Sequence, residues 1–226
     1  MVDIAAFGEL YLIAQAHPEF LSPHGFWIAA ALASSLLASL LMLSQRNMKR
    51  LLALSTIEDM GFLLLGVVSA TELGARGAIF AATVHALAKA LLFISLSAPE
   101  ADGALTTDAR GLATRYPVSA AGFLAGMLAM LGIPPLLGFA GRWRLYQTAA
   151  EMNHWLLAGF IVSSMLALVA YVLCLTRCWW GPTAADAPHA AAEPLPLRLA
   201  IVGLIVVLLA GGLWPHALLA LAGGVQ

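Results

Sequence analysis

Two basic side chains lie in the middle of an apolar stretch, residues 78–97, that is long enough to cross a bilayer. A membrane-spanning helix needs about 20 residues. A lysine at bilayer depth costs roughly 3 kcal/mol even on a permissive insertion scale, so such residues usually have a function. Because His85 and Lys89 are four positions apart, they share one face of a helix. The pair predicts an ion or proton path through a helical bundle; the alternative is a structural polar contact between helices.

Two acidic residues are expected inside a second span. Glu58 and Asp59 are neighbours in sequence, so they point in different directions on a helix and at most one faces the same path as His85. A carboxylate removed from water can hold a proton near neutral pH. A proton relay and a simple ion pair are therefore both open. Candidate basic partners are Lys49, Arg50 and Lys89.

A further charge, Arg142, follows a predicted helix break in the apolar run of residues 118–146. Proline removes a helical hydrogen bond and clashes with the preceding turn, so the sequence GIPP at residues 132–135 is expected to break this helix in mid-membrane. The residues responsible are Gly132, Pro134 and Pro135. Arginine keeps its proton in proteins, so Arg142 can hold a fixed positive charge but cannot carry protons. Its expected partners are carbonyl groups freed by the break or a buried carboxylate, Glu58 or Asp59.

Composition predicts an all-α integral membrane protein. Of its 226 residues, 62% are hydrophobic and 10% are charged, whereas about 25% of residues are charged in soluble domains. Long apolar runs are typical of helices rather than of a β-barrel. We expect a bundle of about six transmembrane helices, one of them broken, and a short N-terminal helix in residues 1–16. The spans are residues 25–43, 51–70, 78–97, 118–146, 155–177 and 197–213.

The connections predict the orientation of the bundle. We expect a polar turn at residues 71–76, a loop that begins at Pro99 and another loop at residues 181–196. Alternate loops carry most of the basic residues, and the positive-inside rule assigns those loops to the cytoplasm. The residues in question are Arg46, Lys49, Arg50, Arg110, Arg115, Arg177 and Arg198. The expected location is the inner membrane of a prokaryote or an equivalent energy-transducing membrane.

Several function classes find no support in the sequence. A net charge of −1 does not suggest nucleic-acid binding. Residues 1–16 lack the basic start of a signal peptide. Cys174 and Cys178 have no second pair, so neither a metal site nor a disulfide is expected. No cofactor motif or nucleophile arrangement indicates a self-contained enzyme, so the chain is at most a non-redox subunit of a translocating oxidoreductase.

Four short sequences occur in the order and spacing of a known family. Together they resemble the antiporter-like membrane subunits of respiratory complex I, of group 4 membrane-bound hydrogenases and of Mrp-type sodium/proton antiporters. The resemblance covers residues 25–182 and more loosely the rest, and Glu58-Asp59, in place of a Ser-His pair, leans slightly towards the hydrogenase-type members. The sequences are KRLLALSTIEDMGFLLLG (49–66), HALAKALLF (85–93), GLATRYP (111–117) and GIPPLLGFAGRW (132–143).

The resemblance implies a mechanism. In this family a line of buried Lys, His and Glu residues crosses the subunit in the membrane plane and carries protons, driven by redox chemistry in a distant hydrophilic arm. His85 and Lys89 match the family's His-x-x-x-Lys, and residues 132–135 match its second discontinuous helix. The Lys or Glu that usually follows this break is Arg142 here, which argues against an independent proton path.

The resemblance also implies partners. The family's first, inverted half has no counterpart in this sequence, so residues 1–226 are expected to form a single membrane domain that resembles the second half of a subunit. Other membrane subunits are the expected partners, including one that supplies the first half and packs against residues 1–16 and the His85 face.

Four functions are compatible with these features. The leading one is a membrane subunit of a complex-I-like assembly, of NADH:quinone oxidoreductase or group 4 hydrogenase type, that contributes to proton or cation translocation. The alternatives are a non-pumping structural member of that assembly, an Mrp-type antiporter component, and a membrane partner in an inorganic-carbon uptake complex. Neighbouring genes for iron–sulfur and quinone-module subunits would favour the first two.

Overall fold

All regular structure in the described residues, which are 2–106, 108–181 and 193–214 in this computed structural model, is helical. A 3-10 turn, Pro18–Leu21, follows the first helix, and a π-helical turn, Leu175–Trp179, extends the eighth. The helices are α1 (Val2–Ala16), α2 (His24–Leu43), α3 (Met48–Val68), α4 (Glu72–Ala101), α5 (Leu112–Arg115), α6 (Pro117–Met130), α7 (Gly138–Met152), α8 (His154–Cys174) and α9 (Leu195–Leu213).

Five helices in the described part of the chain are long enough and apolar enough to cross a membrane: α2, α3, α4, α8 with its π-helical turn, and α9. The predicted all-α membrane bundle is therefore confirmed. The sixth predicted crossing is divided between α6 and α7, which have 14 and 15 residues. Neither reaches the roughly 20 residues of a full span. The predicted loop at residues 181–196 lies largely outside the described residues.

Helix α4 is longer at both ends than the sequence analysis predicts. The expected turn at residues 71–76 is wrong, because Thr71 caps the helix through Gly74 N–H at 3.1 Å and Glu72 then pairs with Arg76 one turn on. The expected loop begins after Ala101 rather than at Pro99, since this proline lies inside the helix. Proline has no backbone N–H, but this close to the end of the helix the lost hydrogen bond affects only the last turn. The long α4 packs against α3, α6, α7 and α9 and forms the centre of the bundle.

The predicted break separates α6 from α7. Gly132 has a φ of 68°, a conformation that glycine adopts readily because it has no Cβ. The Pro134–Pro135 peptide is cis. Leu137 N–H donates to the carbonyl of Leu208 on α9 at 2.9 Å. Non-helical backbone at membrane depth is thus covered by protein, as a lipid environment requires.

A glycine also fixes where α7 begins. A Cβ on Gly138 would lie 1.8 Å from the carbonyl oxygen of Ala129, so only glycine allows α7 to start this close to α6. Arg142 follows one turn later on α7 and therefore lies beside the carboxyl end of α6. A Cβ on Gly132 would lie 2.6 Å from Cβ of Arg142, so the break and the arginine are in direct contact.

The outer faces of three helices are apolar and exposed. Since the chain is a membrane protein, these faces are suited to lipid, whereas the charged side chains of Glu58, Asp59 and Lys89 in the spans are buried. The exposed side chains include Leu37, Leu40 and Leu41 on α2, Val162, Met165, Val169 and Val172 on α8, and Leu199, Val202 and Val206 on α9.

Candidate functional site

Both intramembrane carboxylates bind the same arginine. Arg142 Nη2 lies 3.2 Å from Glu58 Oε1, and Arg142 Nη1 lies 3.1 Å from Asp59 Oδ1. All three residues are buried, with exposed fractions of 4% for Arg142, 2% for Glu58 and 6% for Asp59. The expected pairing of Arg142 with a buried carboxylate is therefore observed. The planar guanidinium reaches both carboxylates, although they point in different directions from α3.

Two further contacts hold Arg142 in place. Its Nη2 donates to the carbonyl of Met130 at 3.3 Å, at the end of α6 where the break leaves carbonyl groups without helical partners. Its guanidinium carbon lies 3.8 Å from the centre of the Phe62 ring, a cation–π contact. Arg142 therefore ties α7 to α3 and α6 at the level of the break.

Asp59 connects this cluster to α4. Its second oxygen, Oδ2, lies 2.7 Å from His85 Nδ1, and His85 is 1% exposed. Both carboxylates contact Arg142, and Asp59 is the one that also contacts His85. The sequence analysis expects at most one of the two carboxylates to lie on the same side as His85, and Asp59 is the one that contacts it. One carboxylate bridges a permanent cation and a titratable ring.

Lys89 meets a second group of oxygens one turn along α4. Its Nζ donates to the carbonyl of Leu52 and to the hydroxyl of Ser55, the latter at 2.7 Å. The phenol of Tyr171, on α8, donates to the same Ser55 hydroxyl at 2.9 Å. A hydroxyl thus joins the Lys89 ammonium to a buried phenol.

The antiparallel packing of α3 and α4 explains why both groups form. His85 and Lys89 are four residues apart on α4, and their partners Asp59 and Ser55 are four residues apart on α3 in the opposite direction. Side chains separated by four residues lie above one another on a helix, so two facing stripes meet at two successive turns. The spacing of Ser55 and Asp59 is visible in the sequence. It points to Ser55 as the partner of Lys89 only when α3 and α4 are known to be neighbours.

The sequence analysis misses Ser55 and Tyr171 and misplaces two contacts. Tyr171 lies in an apolar span, and its approach to α3 depends on tertiary packing. The prediction that a partner subunit packs against the His85 face is wrong, because His85 is buried inside this chain. Lys49, a candidate partner for the buried carboxylates, pairs instead with Glu100 near the end of α4.

No group of three His, Cys, Asp or Glu side chains in the described ranges could hold a metal ion. Cys174 and Cys178 are both buried free thiols near the end of α8. The network of α3, α4 and α7 consists of two carboxylates, a histidine, a lysine and an arginine.

A family model described as "NADH:quinone oxidoreductase/Mrp antiporter, TM" matches residues 1–167. The chain belongs to this family. NADH-quinone oxidoreductase subunit N of Moorella thermoacetica is 33% identical over 203 residues, which are 86% of this chain and 42% of that protein. Subunit N of Desulforamulus reducens is 35% identical over 147 residues, 64% of this chain and 31% of that protein. The predicted resemblance is confirmed, and the chain spans less than half the length of these relatives.

Solved structures share the fold of this antiporter family member. A chain of the Mrp complex from Dietzia sp. DQ12-45-1b superposes with a TM-score of 0.86 at 22% identity, covering 97% of this chain and 50% of that one. A chain of respiratory complex I from Thermus thermophilus has a TM-score of 0.72 at 28% identity, covering 88% of this chain and 46% of that one. A chain of the archaeal membrane-bound sulfane sulfur reductase has a TM-score of 0.76 at 25% identity, covering 84% and 32%.

Proposed function

We propose that this chain acts in a membrane subunit of a complex-I-like assembly and contributes to proton or cation translocation coupled to redox chemistry elsewhere in that assembly. The observation that carries the proposal is the network of five ionisable side chains buried among membrane-spanning helices. Charged groups inside a membrane are costly and mark ion pathways. The members are Glu58, Asp59, His85, Lys89 and Arg142.

The formal charges of the network suit a group that takes up and releases one proton. With both carboxylates ionised, Arg142 and Lys89 protonated and His85 neutral, the charges cancel. One added proton gives a single excess positive charge in a low-dielectric interior, which favours its onward transfer. When the His85 ring binds that proton, the Asp59 carboxylate at 2.7 Å is a partner of opposite charge.

Proton transfer is assigned to α4 and its hydroxyl partners. His85 and Lys89 are one helical turn apart, a rise of about 6 Å. Ser55 and Tyr171 extend the Lys89 end with hydroxyl groups, which both donate and accept hydrogen bonds. Arg142 does not release its proton, so its role here is to hold the Asp59 and Glu58 side chains in place.

Other membrane subunits are the proposed partners, in the inner membrane of a prokaryote. The Mrp complex and respiratory complex I among the structural neighbours are multisubunit membrane assemblies, which supports such partners. At finer detail, we propose that a partner with the family's inverted half packs against α1. Leu12 and Ile13 on this helix are exposed apolar side chains, with 65% and 46% of their surface accessible.

A non-pumping structural role is the second candidate, and the contacts of Arg142 with three helices favour it. A permanent cation stands where the family usually has a Lys or Glu, and it ties three helices together. In this case the network would stabilise the bundle, and proton transfer would run through other subunits.

The two candidate functions predict different proton uptake by the whole assembly when His85 is replaced. We expect His85→Gln to leave co-purification of the other membrane subunits unchanged and to reduce proton uptake into proteoliposomes at least ten-fold, because glutamine offers no titratable group. Thr83→Ala, on the exposed face of α4 two residues earlier, is the matched control. Full uptake by an assembled His85→Gln complex would favour the structural role.

A further inference from the structure

We propose that a cavity at one end of the bundle binds the phosphate headgroup of an anionic phospholipid. The cavity has a volume of about 440 Å³ and opens where α2 ends and α3 begins. Three arginines from three separate connections line it: Arg46 between α2 and α3, Arg110 between α4 and α5, and Arg177 in the turn that extends α8. The bundle thus brings together basic side chains that are far apart in sequence.

The charges in this cavity are suited to an anion. Within the described ranges, none of the three guanidinium groups forms an ion pair or a side-chain hydrogen bond, and Asp108 is the single acidic residue among the lining positions. The lining therefore has an excess of two positive charges. Guanidinium groups bind phosphate oxygens through paired hydrogen bonds, so a phosphate is the anion that three arginines around one cavity favour.

The surroundings of the cavity favour a lipid over a free phosphate ion. The α2 and α8 helices pack side by side, and their ends at this cavity carry exposed apolar side chains. Leu40 and Leu41 lie on α2 just before Arg46, and Val169 and Val172 lie on α8 just before Arg177. Acyl chains along these side chains would place the headgroup at the arginines. Basic pockets between transmembrane helices are known to bind anionic headgroups.

This inference does not depend on ion translocation, since none of the cavity residues belongs to the buried network. Its test is lipid retention by the purified full chain in detergent micelles that contain phosphatidylcholine and a small fraction of phosphatidylglycerol. Native mass spectrometry would count the anionic lipids that remain bound. Each basic residue near the membrane surface changes the affinity for anionic lipid about five-fold.

The decisive variant replaces all three arginines: Arg46→Gln, Arg110→Gln and Arg177→Gln. We expect retained phosphatidylglycerol to fall at least ten-fold, because the anion loses its ligands. The matched control is Arg50→Gln with Arg198→Gln, two exposed basic residues outside the cavity that the positive-inside rule assigns to the same face. A loss in the control that is as large per removed arginine as in the cavity variant, about five-fold each, would overturn the proposal, since binding would then follow surface charge alone.

Two further arms keep the test decisive. Inorganic phosphate added to the micelles should not displace the lipid; displacement at low millimolar phosphate would overturn the lipid assignment and indicate a site for a soluble phosphate. Replacing the same three arginines by lysine keeps the charge and removes the paired hydrogen bonds. If the glutamine variant does not fold, we expect this lysine variant to lose part of the retention, and unchanged retention would contradict the arginine site.

Discussion

His85 and Lys89 lie one turn apart on the same helix, and α3 offers them two different kinds of oxygen. At His85 the bridging group is the carboxylate of Asp59, which also binds Arg142. At Lys89 the bridging group is the hydroxyl of Ser55, which also binds Tyr171. The first bridge ends in a cation that keeps its proton. The second bridge consists of groups whose hydrogen bonds can reverse, as proton transfer requires. Two side chains on one helix face therefore have different surroundings, because the partner atoms on the neighbouring helix differ.

Removing the fixed cation should have the largest effect. Arg142→Ala leaves two carboxylates buried without their cation, and breaking a buried ion pair costs on the order of 3–5 kcal/mol. We expect the variant to unfold at a much lower temperature in detergent and to assemble poorly. Arg144→Ala, two residues along the same helix and half-buried, is the control and should cost far less. An Arg142→Ala chain that assembles and pumps as wild type would contradict the buried ion pairs of Arg142 with Glu58 and Asp59.

Replacing Arg142 by a cation that can release its proton sharpens the same comparison. Arg142→Lys keeps a positive charge between Glu58 and Asp59, so assembly should be retained. Lysine exchanges protons where arginine does not, so proton uptake by the whole assembly should stay the same or rise. Proteoliposome uptake measured beside the Arg142→Ala variant separates the loss of charge from the loss of proton exchange.

Neutralising each carboxylate tests whether Asp59 is the bridge. Asp59→Asn weakens contacts with both Arg142 and His85, whereas Glu58→Gln weakens the contact with Arg142 and leaves the Asp59–His85 contact in place. Both variants should lower stability, because each removes a partner of Arg142. Proton uptake per assembled complex should fall about ten-fold further for Asp59→Asn, which corresponds to 1.4 kcal/mol. Equal effects on uptake would mean that the Asp59–His85 contact has no part in transfer.

The smallest effect is expected at the far end of the second bridge. Tyr171→Phe removes one buried hydrogen bond to Ser55, worth about 1 kcal/mol, and we expect a few-fold decrease in proton uptake with assembly intact. Tyr146→Phe is a close control, since Tyr146 also donates one hydrogen bond to a serine, Ser164, at 2.6 Å, on another pair of helices. Similar uptake for the two variants would remove Tyr171 from the path.

The sequence predicts much of this site because a charged side chain inside a membrane needs a partner. The expectation that Arg142 pairs with Glu58 or Asp59 follows from the cost of an unpaired charge, and the break at residues 132–135 follows from proline chemistry. Ser55 is not predictable in the same way. A serine in an apolar helix is common, and its contact with Lys89 depends on how α3 and α4 are aligned.

Helix ends were less predictable than helix interiors. The start of α4 depends on a side-chain cap at Thr71, which extends the helix over residues that are polar enough to suggest a turn. Its other end depends on the position of Pro99 relative to the last turn. A capping hydrogen bond at the first end, and the position of the proline at the second, outweigh the composition of the segment.

The central claim is that Lys89 exchanges protons, whereas Arg142 holds charge. It is tested most directly by proton uptake into proteoliposomes that contain the whole assembly with Lys89→Ala or Lys89→Arg. We predict that both variants assemble with the other subunits and that both lose proton uptake, because neither alanine nor arginine can release a proton at this position. Wild-type uptake by Lys89→Arg, or by an assembled Lys89→Ala complex, would contradict the claim and leave Lys89 as a structural contact of α3.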